Sequence, residues 1–197
     1  SEVQERICFT MEYRILGDTG LLLSVVGFGA SPFGGVYGDV NERESIRAVH
    51  TAVDLGVNFI DVAPYYGLTR AERVLGKALQ TIPRDTYYLS TKVGRYSKTL
   101  FDFSAKRTAE SIDESLQRLQ IDYIDLVVCH DIEFASLAQI VDETIPMLRR
   151  LQAAGKVRYV GISGLPLKVF QYVSERTEID FVLSYCHYCL NDTSLVR

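Results

Sequence analysis

The chain has 197 residues, a formal net charge of −4, 47% hydrophobic residues and 23% charged ones. That is an ordinary mixture for a globular protein, long enough to bury one sizeable core. The mild acidity speaks against a nucleic-acid partner, which would leave a basic patch, and no apolar run approaches the ~18 residues a membrane span requires.

Residues 1–10 are polar and charged, without the apolar core of a secretory leader. Met11 opens the patterned part of the chain. Residues 1–10 therefore read as an extension and residues 11–197 as one domain, with a cytosolic location expected. Two short apolar runs, residues 13–16 and 21–24, flank Gly17-Asp18-Thr19-Gly20 and predict a β-hairpin. A strand over residues 25–30 runs into a loop containing Gly34, Gly35 and Gly38.

A rhythm of helix and strand follows. Helical spacing covers residues 42–55 and stops at Gly56; strand signals cover 58–62; a helix is predicted over 71–79, a strand over 86–92 and a long amphipathic helix over 105–119. Then come a strand at 125–129, a helix at 144–154, a strand at 157–163, a helix at 167–176 and a strand at 181–186. The strands are apolar on both faces and the connections are short, which is the pattern of βα units around a buried parallel sheet. No glycine-rich dinucleotide fingerprint follows the first strand, so a doubly wound sheet fits less well than a (β/α)8 barrel. Such barrels take ~250 residues. The chain supplies six strands after the hairpin and five helices between them, an incomplete (β/α)8 TIM barrel of about six of the eight strands.

Barrel active sites lie at the C-terminal ends of the strands. Reading those ends in order gives Asp61 with Tyr66 in its loop, then Lys92, His130 and Ser163. Each has an ordinary structural explanation by itself, as a helix cap, a snorkelling lysine or a hydrogen-bonded core histidine. Together, at the face the fold reserves for chemistry, they describe a proton-transfer device. A nearby ammonium favours the phenolate of a tyrosine. Asp61 would hold Lys92 charged, and His130 could donate to a substrate oxygen. A proton moved on oxygen while carbon changes oxidation state also needs a hydride partner, which implies a nicotinamide cofactor.

The pattern Asp61-x-Ala63-x-x-Tyr66-Gly67, followed by Glu72, Gly76, Lys92 and His130, resembles the aldo-keto reductase family over nearly all of the chain from Met11 to about Leu190. The resemblance implies a (β/α)8 barrel with an N-terminal hairpin, and NAD, with NADP as the alternative, bound without a doubly wound domain. It implies Tyr66 as general acid–base, Lys92 and Asp61 as its tuners and His130 as the group that orients a small sugar or carbonyl substrate. Gly29 and Ala30 would lie near the cofactor beside Asp61, and Ser163 would meet its carboxamide. Gly164 stands where an asparagine commonly shares that contact, Val62 replaces the usual threonine, and the glutamine usual in the sixth strand is not evident. A nicotinamide-sensing binding protein and a truncated product that does not fold alone are the other readings the same residues allow.

Phe33, Tyr37, Tyr65 and Tyr96 are candidate pocket walls. Arg95 reads as a solvated surface charge, as do Asp131 and Glu133, and no metal site is expected. Among Cys8, Cys129, Cys186 and Cys189, Cys129 reads as a small buried strand residue. Cys186-x-x-Cys189 falls in a strand-like apolar stretch and completes no zinc site.

Overall fold

The structure, a computed structural model, describes residues 10–196. The expected extension therefore lies almost wholly outside the described residues. The chain opens on an antiparallel hairpin of β1 (Tyr13–Ile15) and β2 (Leu22–Ser24), joined by a 3₁₀ turn at Gly17–Thr19. Then come β3 (Phe28–Gly29), α1 (Glu42–Asp54), β4 (Phe59–Asp61), α2 (Arg70–Leu79), β5 (Tyr88–Val93), α3 (Ala105–Leu119) and β6 (Ile124–Cys129). A short α4 (Leu137–Gln139) runs through a π turn at Ile140–Thr144 into α5 (Ile145–Ala153). The chain continues with β7 (Val157–Gly164), α6 (Leu167–Ser174) and β8 (Phe181–Ser184).

Local chemistry explains the boundaries. Asn41 caps α1 by accepting from the Arg43 and Glu44 amides, and Ser104 caps α3 through Arg107 N–H. The predicted β3 shrinks to two residues, since Val25 and Val26 are exposed and Val25 N–H is bonded to Glu12 O of the hairpin segment at 2.9 Å. The last strand ends at Ser184, so Cys186 and Cys189 lie beyond it in an exposed loop, not in a strand.

β3 to β8 form one six-stranded parallel sheet in sequence order, the curled wall of a (β/α)8 barrel with six strands among the described residues. Its outer face packs on helices in two apolar groups. One is centred on Val49, Ile60, Leu75 and Leu89, the other on Ile112, Val127, Leu148 and Val160. The hairpin sits at the N-terminal ends of the strands. Tyr13 donates to Gly56 O at 2.8 Å, Asn58 Nδ2 to Leu22 O at 2.9 Å, and Tyr159 on β7 to Thr19 O at 2.5 Å. The opposite end, where the strands finish, is left for the loops that carry the polar residues.

Two close approaches set those loops. A side-chain carbon on Gly67 would lie 2.3 Å from Gly34 backbone atoms, and Gly67 has a φ of +62°. The loop after β3 can touch the loop after β4 only if both residues are glycine. On the outer face, a carbon on Gly76 would fall 2.3 Å from Arg118 O, so α2 and α3 meet backbone to backbone there.

Candidate active site

Strand register puts the polar candidates on one face. Gly29 pairs with Asp61, and Asp61 with Ser90. Side chains repeat every two residues along a strand, so Lys92 shares the face of Ser90. Lys92 pairs with Val128, and two residues further lies His130. Its amide donates to Val93 O at 2.9 Å, which carries the parallel pairing one residue past β6. Tyr66 comes from the loop between β4 and α2. That loop is pinned by Tyr66 N–H to Ala63 O at 3.1 Å and Thr69 N–H to Pro64 O at 2.8 Å.

The sequence-predicted set converges. Lys92 is 2% exposed; its ammonium donates to Asp61 Oδ2 at 2.5 Å and to Val62 O at 2.9 Å, and it lies 4.8 Å from the centre of the Tyr66 ring. His130 meets the edges of Tyr65 and Tyr66, each at 5.9 Å between ring centres. Burial works against the Lys92 charge, but Asp61 and Tyr66 outweigh it and hold its pKa above the ordinary value. Burial pushes the Tyr66 hydroxyl up, against the downward pull of Lys92. His130 is held well below the usual imidazole range by burial and by the cations Lys92 and Arg95, so its ring is neutral at pH 7.

The remaining predicted positions divide. Ala30 is fully buried, and its amide donates to Asp61 O at 2.8 Å. Gly29 is exposed, and a side-chain carbon there would meet nothing within 4 Å. The Ser163 hydroxyl accepts from Asp131 N–H at 3.1 Å and faces Cys129 O at 3.4 Å, which leaves one lone pair to accept from a ligand's N–H. A carbon on Gly164 would lie 2.8 Å from Glu133 Oε2. A side chain at 164 would therefore require the Glu133 carboxylate to shift, and as the residue stands Gly164 offers a ligand only its backbone.

Arg95, Asp131 and Glu133 are not the solvated charges the sequence reading expects. Arg95 forms an ion pair with the buried carboxylate of Asp131 and stacks over Tyr65 at 4.1 Å. Glu133 Oε1 accepts from Leu165 N–H at 3.1 Å and from the Tyr185 hydroxyl at 3.3 Å. The signal for Arg95 and Asp131 was their position, each just past a strand end that carries a site residue. The aromatic candidates also part company. Tyr37 and Tyr65 line a cavity of about 720 Å³ with Tyr66, Val36, Leu68 and Lys98. Phe33 is buried against Phe28, and Tyr96 donates nothing to that cavity: its hydroxyl accepts from Gly94 N–H at 3.2 Å and Arg107 covers its ring. A second cavity, of about 610 Å³, lies at the hairpin end, where His50 is already satisfied by Ala78 O and Thr81.

The model of the aldo/keto reductase family matches residues 25–195. The chain belongs to the aldo/keto reductase family. It is similar to the L-galactose dehydrogenase of Arabidopsis thaliana, 54% identical over 191 residues, which cover 94% of this chain and 60% of that protein. It is 38% identical to the D-arabinose 1-dehydrogenase of Saccharomyces cerevisiae over 80% of this chain and 50% of that one. Among solved structures, an aldo-keto reductase from Bacillus halodurans in its holo form superposes with a TM-score of 0.78 at 32% identity, over 88% of this chain and 57% of that one. The chain thus spans about half to three-fifths of the length of these aldo-keto reductases. The likeness accounts for the parallel curled sheet.

The nicotinamide cofactor that the family implies fits the residues present. Asp61 Oδ1 and His130 Nδ1 are buried with no hydrogen-bond partner, and Gly29, paired with Asp61 across the sheet, has open space where a side chain would be. Buried polar atoms left without partners cost free energy unless something else meets them. Among the described residues no cluster of three metal-ligating side chains occurs, and no helix is long and apolar enough to cross a membrane.

Proposed function

We propose that this chain carries the acid–base half of an NAD-linked sugar dehydrogenase that oxidises L-galactose at C1 to its lactone, in the cytosol and on the route to ascorbate. One observation carries the reading: a buried Lys92, bonded to Asp61 at 2.5 Å, lies 4.8 Å from the ring of Tyr66 at the strand ends. The sugar and the oxidative direction are supported by the printed name of the 54% identical relative.

Each residue has one task in this reading. Tyr66 receives the proton of the C1 hydroxyl as that carbon is oxidised. Lys92 stabilises the phenolate that this requires, and Asp61 keeps Lys92 charged and in place. His130 orients the sugar. Gly29, Ala30, Asp61, Ser163 and the backbone of Gly164 would hold the nicotinamide end of the cofactor. When bound, that cofactor supplies the hydride acceptor that no side chain here can be. Tyr37 and Tyr65 offer aromatic faces to the sugar ring.

The test is NADH formation from NAD and L-galactose, with Tyr66→Phe beside the wild type. Loss of one positioned acid–base group costs about 10²–10⁴-fold in kcat, with NAD affinity unchanged. Near-normal turnover in Tyr66→Phe would remove Tyr66 from the chemistry. NADPH-dependent reduction of other carbonyls with no oxidation of L-galactose would replace the substrate assignment.

A further inference from the structure

The loop after the last strand carries two thiols that the acid–base set does not use. β8 finishes at Ser184, which pairs with Gly164 of β7, and the chain then bends through residues 185–188. Cys186 and Cys189 in this loop are both free and exposed. Cys186 takes up a left-handed conformation, φ +68°, which non-glycine residues rarely adopt. The chain turns back on itself there, and the Cys189 thiol lies 3.6 Å from Cys186 O and 3.2 Å from Asn191 Oδ1. A disulfide needs its two Cβ atoms about 3.5–4.5 Å apart. With one sulfur already folded over the peptide of the other cysteine, the turn has only to tighten for the bond to form.

The same loop is tied to the face where the strands end. His187 lies between the two cysteines. It donates from Nε2 to Leu165 O at 2.5 Å, and its Nδ1 meets Ser194 Oγ at 2.9 Å. The Tyr185 hydroxyl donates to Glu133 Oε1 at 3.3 Å, and that oxygen also accepts from Leu165 N–H at 3.1 Å. The loops after β6, β7 and β8 therefore meet at Leu165, the residue that follows Gly164. Tightening the turn draws in His187 and Tyr188, the two residues it brackets, and takes the Cys189 thiol from Asn191. The His187 contact with Leu165 is the one that must give, since the ring is held at both nitrogens while its backbone moves.

We propose that Cys186 and Cys189 form a reversible thiol–disulfide site, oxidised by exchange with a low-molecular-weight disulfide of the glutathione class, and that its closure pulls His187 off Leu165 and loosens the hold on a nicotinamide cofactor at Gly164. The site itself stands on the loop alone; its effect on a cofactor rests on the function proposed above. The exchange runs in two steps. One cysteine thiolate attacks the small disulfide, forming a mixed disulfide and releasing one glutathione thiolate. The other cysteine thiolate then attacks the protein sulfur of that mixed disulfide and releases the second. The two protein thiols give up two protons and two electrons, and the small disulfide takes up the electrons as two thiols. Exposed and strained disulfides are the readily reduced kind, so excess thiol reverses the change.

The experiment is to treat the full chain with oxidised glutathione and map its disulfides by non-reducing peptide mass spectrometry. The wild type is expected to gain one internal Cys186–Cys189 bond, lighter by two hydrogen atoms, and to lose it in dithiothreitol. Cys186→Ser and Cys189→Ser are each expected to hold glutathione on the cysteine that remains. Glutathione retained on the wild-type pair, bonding of either cysteine to Cys8 or to a second chain, or no reaction would each overturn the site. The second arm is NAD affinity by titration calorimetry. Oxidation is expected to weaken it at least about threefold, the order that one hydrogen bond is worth, and to leave the Cys186→Ser/Cys189→Ser double variant unchanged. Equal affinity of the oxidised and reduced wild type would overturn the link to the cofactor. If the reduced chain binds no NAD, the function proposed above fails, and the disulfide map still decides the site.

Discussion

Lys92 is where one residue governs another's chemistry. An ammonium in water favours a neighbouring phenolate only weakly, because solvent screens it; one with 2% of its surface exposed is screened far less. Burial lifts the Tyr66 hydroxyl above its ordinary range, and Lys92 is the main force opposing that lift. Removing the lysine therefore moves the phenolate further from neutral pH. In Lys92→Met the rising limb of the pH profile for sugar oxidation is expected to shift to higher pH, or turnover to disappear. A steady-state pH series on both proteins checks this, and superimposable profiles would show that Lys92 does not tune Tyr66. The meeting of Asp61, Tyr66, Lys92 and His130 was legible in the sequence because Asp61, Lys92 and His130 stand at the ends of three successive apolar strands and Tyr66 in the loop after the first. Arg95 and Asp131 were misread. A charge just past a strand looks the same whether it faces water or another charge, and only their mutual distance separates the two cases.

At the scale of elements, the carboxylate to test is Glu72 on α2. It is fully buried, accepts from the Thr91 hydroxyl at 2.7 Å and pairs with Arg118 Nε of α3 at 2.6 Å. Three elements, α2, β5 and α3, thus meet at one charge on the outer face of the sheet, beside the glycine contact at Gly76. Glu72 belongs to the motif by which the sequence was recognised, yet it stands behind the sheet, away from the acid–base face. Its removal leaves Arg118 with Glu114, at 3.3 Å, as its remaining carboxylate partner and leaves Thr91 without an acceptor. Losing one member of a buried pair costs roughly 3–5 kcal/mol where the other is left uncompensated, and the contact Arg118 keeps with Glu114 makes that an upper bound here. Glu72→Ala is expected to lower the urea midpoint by a corresponding amount, and an unchanged midpoint would show that the pair contributes nothing net. The helices and strands themselves were largely legible, α3 to the residue, since period and caps are local. The π turn at Ile140–Thr144 and the short α4 before it were not, and the sequence reading starts that helix only at residue 144.

Over the whole molecule, the cysteines report how the sheet divides inside from outside. Cys129 is fully buried at the end of β6, and burial pushes its thiol up to about 12, while Cys186 and Cys189 are exposed beyond β8. Brief alkylation of the folded chain followed by peptide mass spectrometry is expected to label Cys186 and Cys189 and to spare Cys129 until denaturant is added. Early labelling of Cys129 would mean that the strands open far more readily than their packing implies. What the sequence by itself determined is the class of fold and the chemical types at the strand ends. Alternating apolar strands and amphipathic helices have few ways to bury both faces of a sheet, and a parallel curled sheet is the one that suits these connections. The tertiary structure alone decided which charges are paired, which way the carboxylate of Asp131 turns and how closely the loops after β3 and β4 approach at Gly34 and Gly67. Those outcomes depend on distances between residues that are far apart in the chain, and electrostatic energies in a buried site change with every ångström.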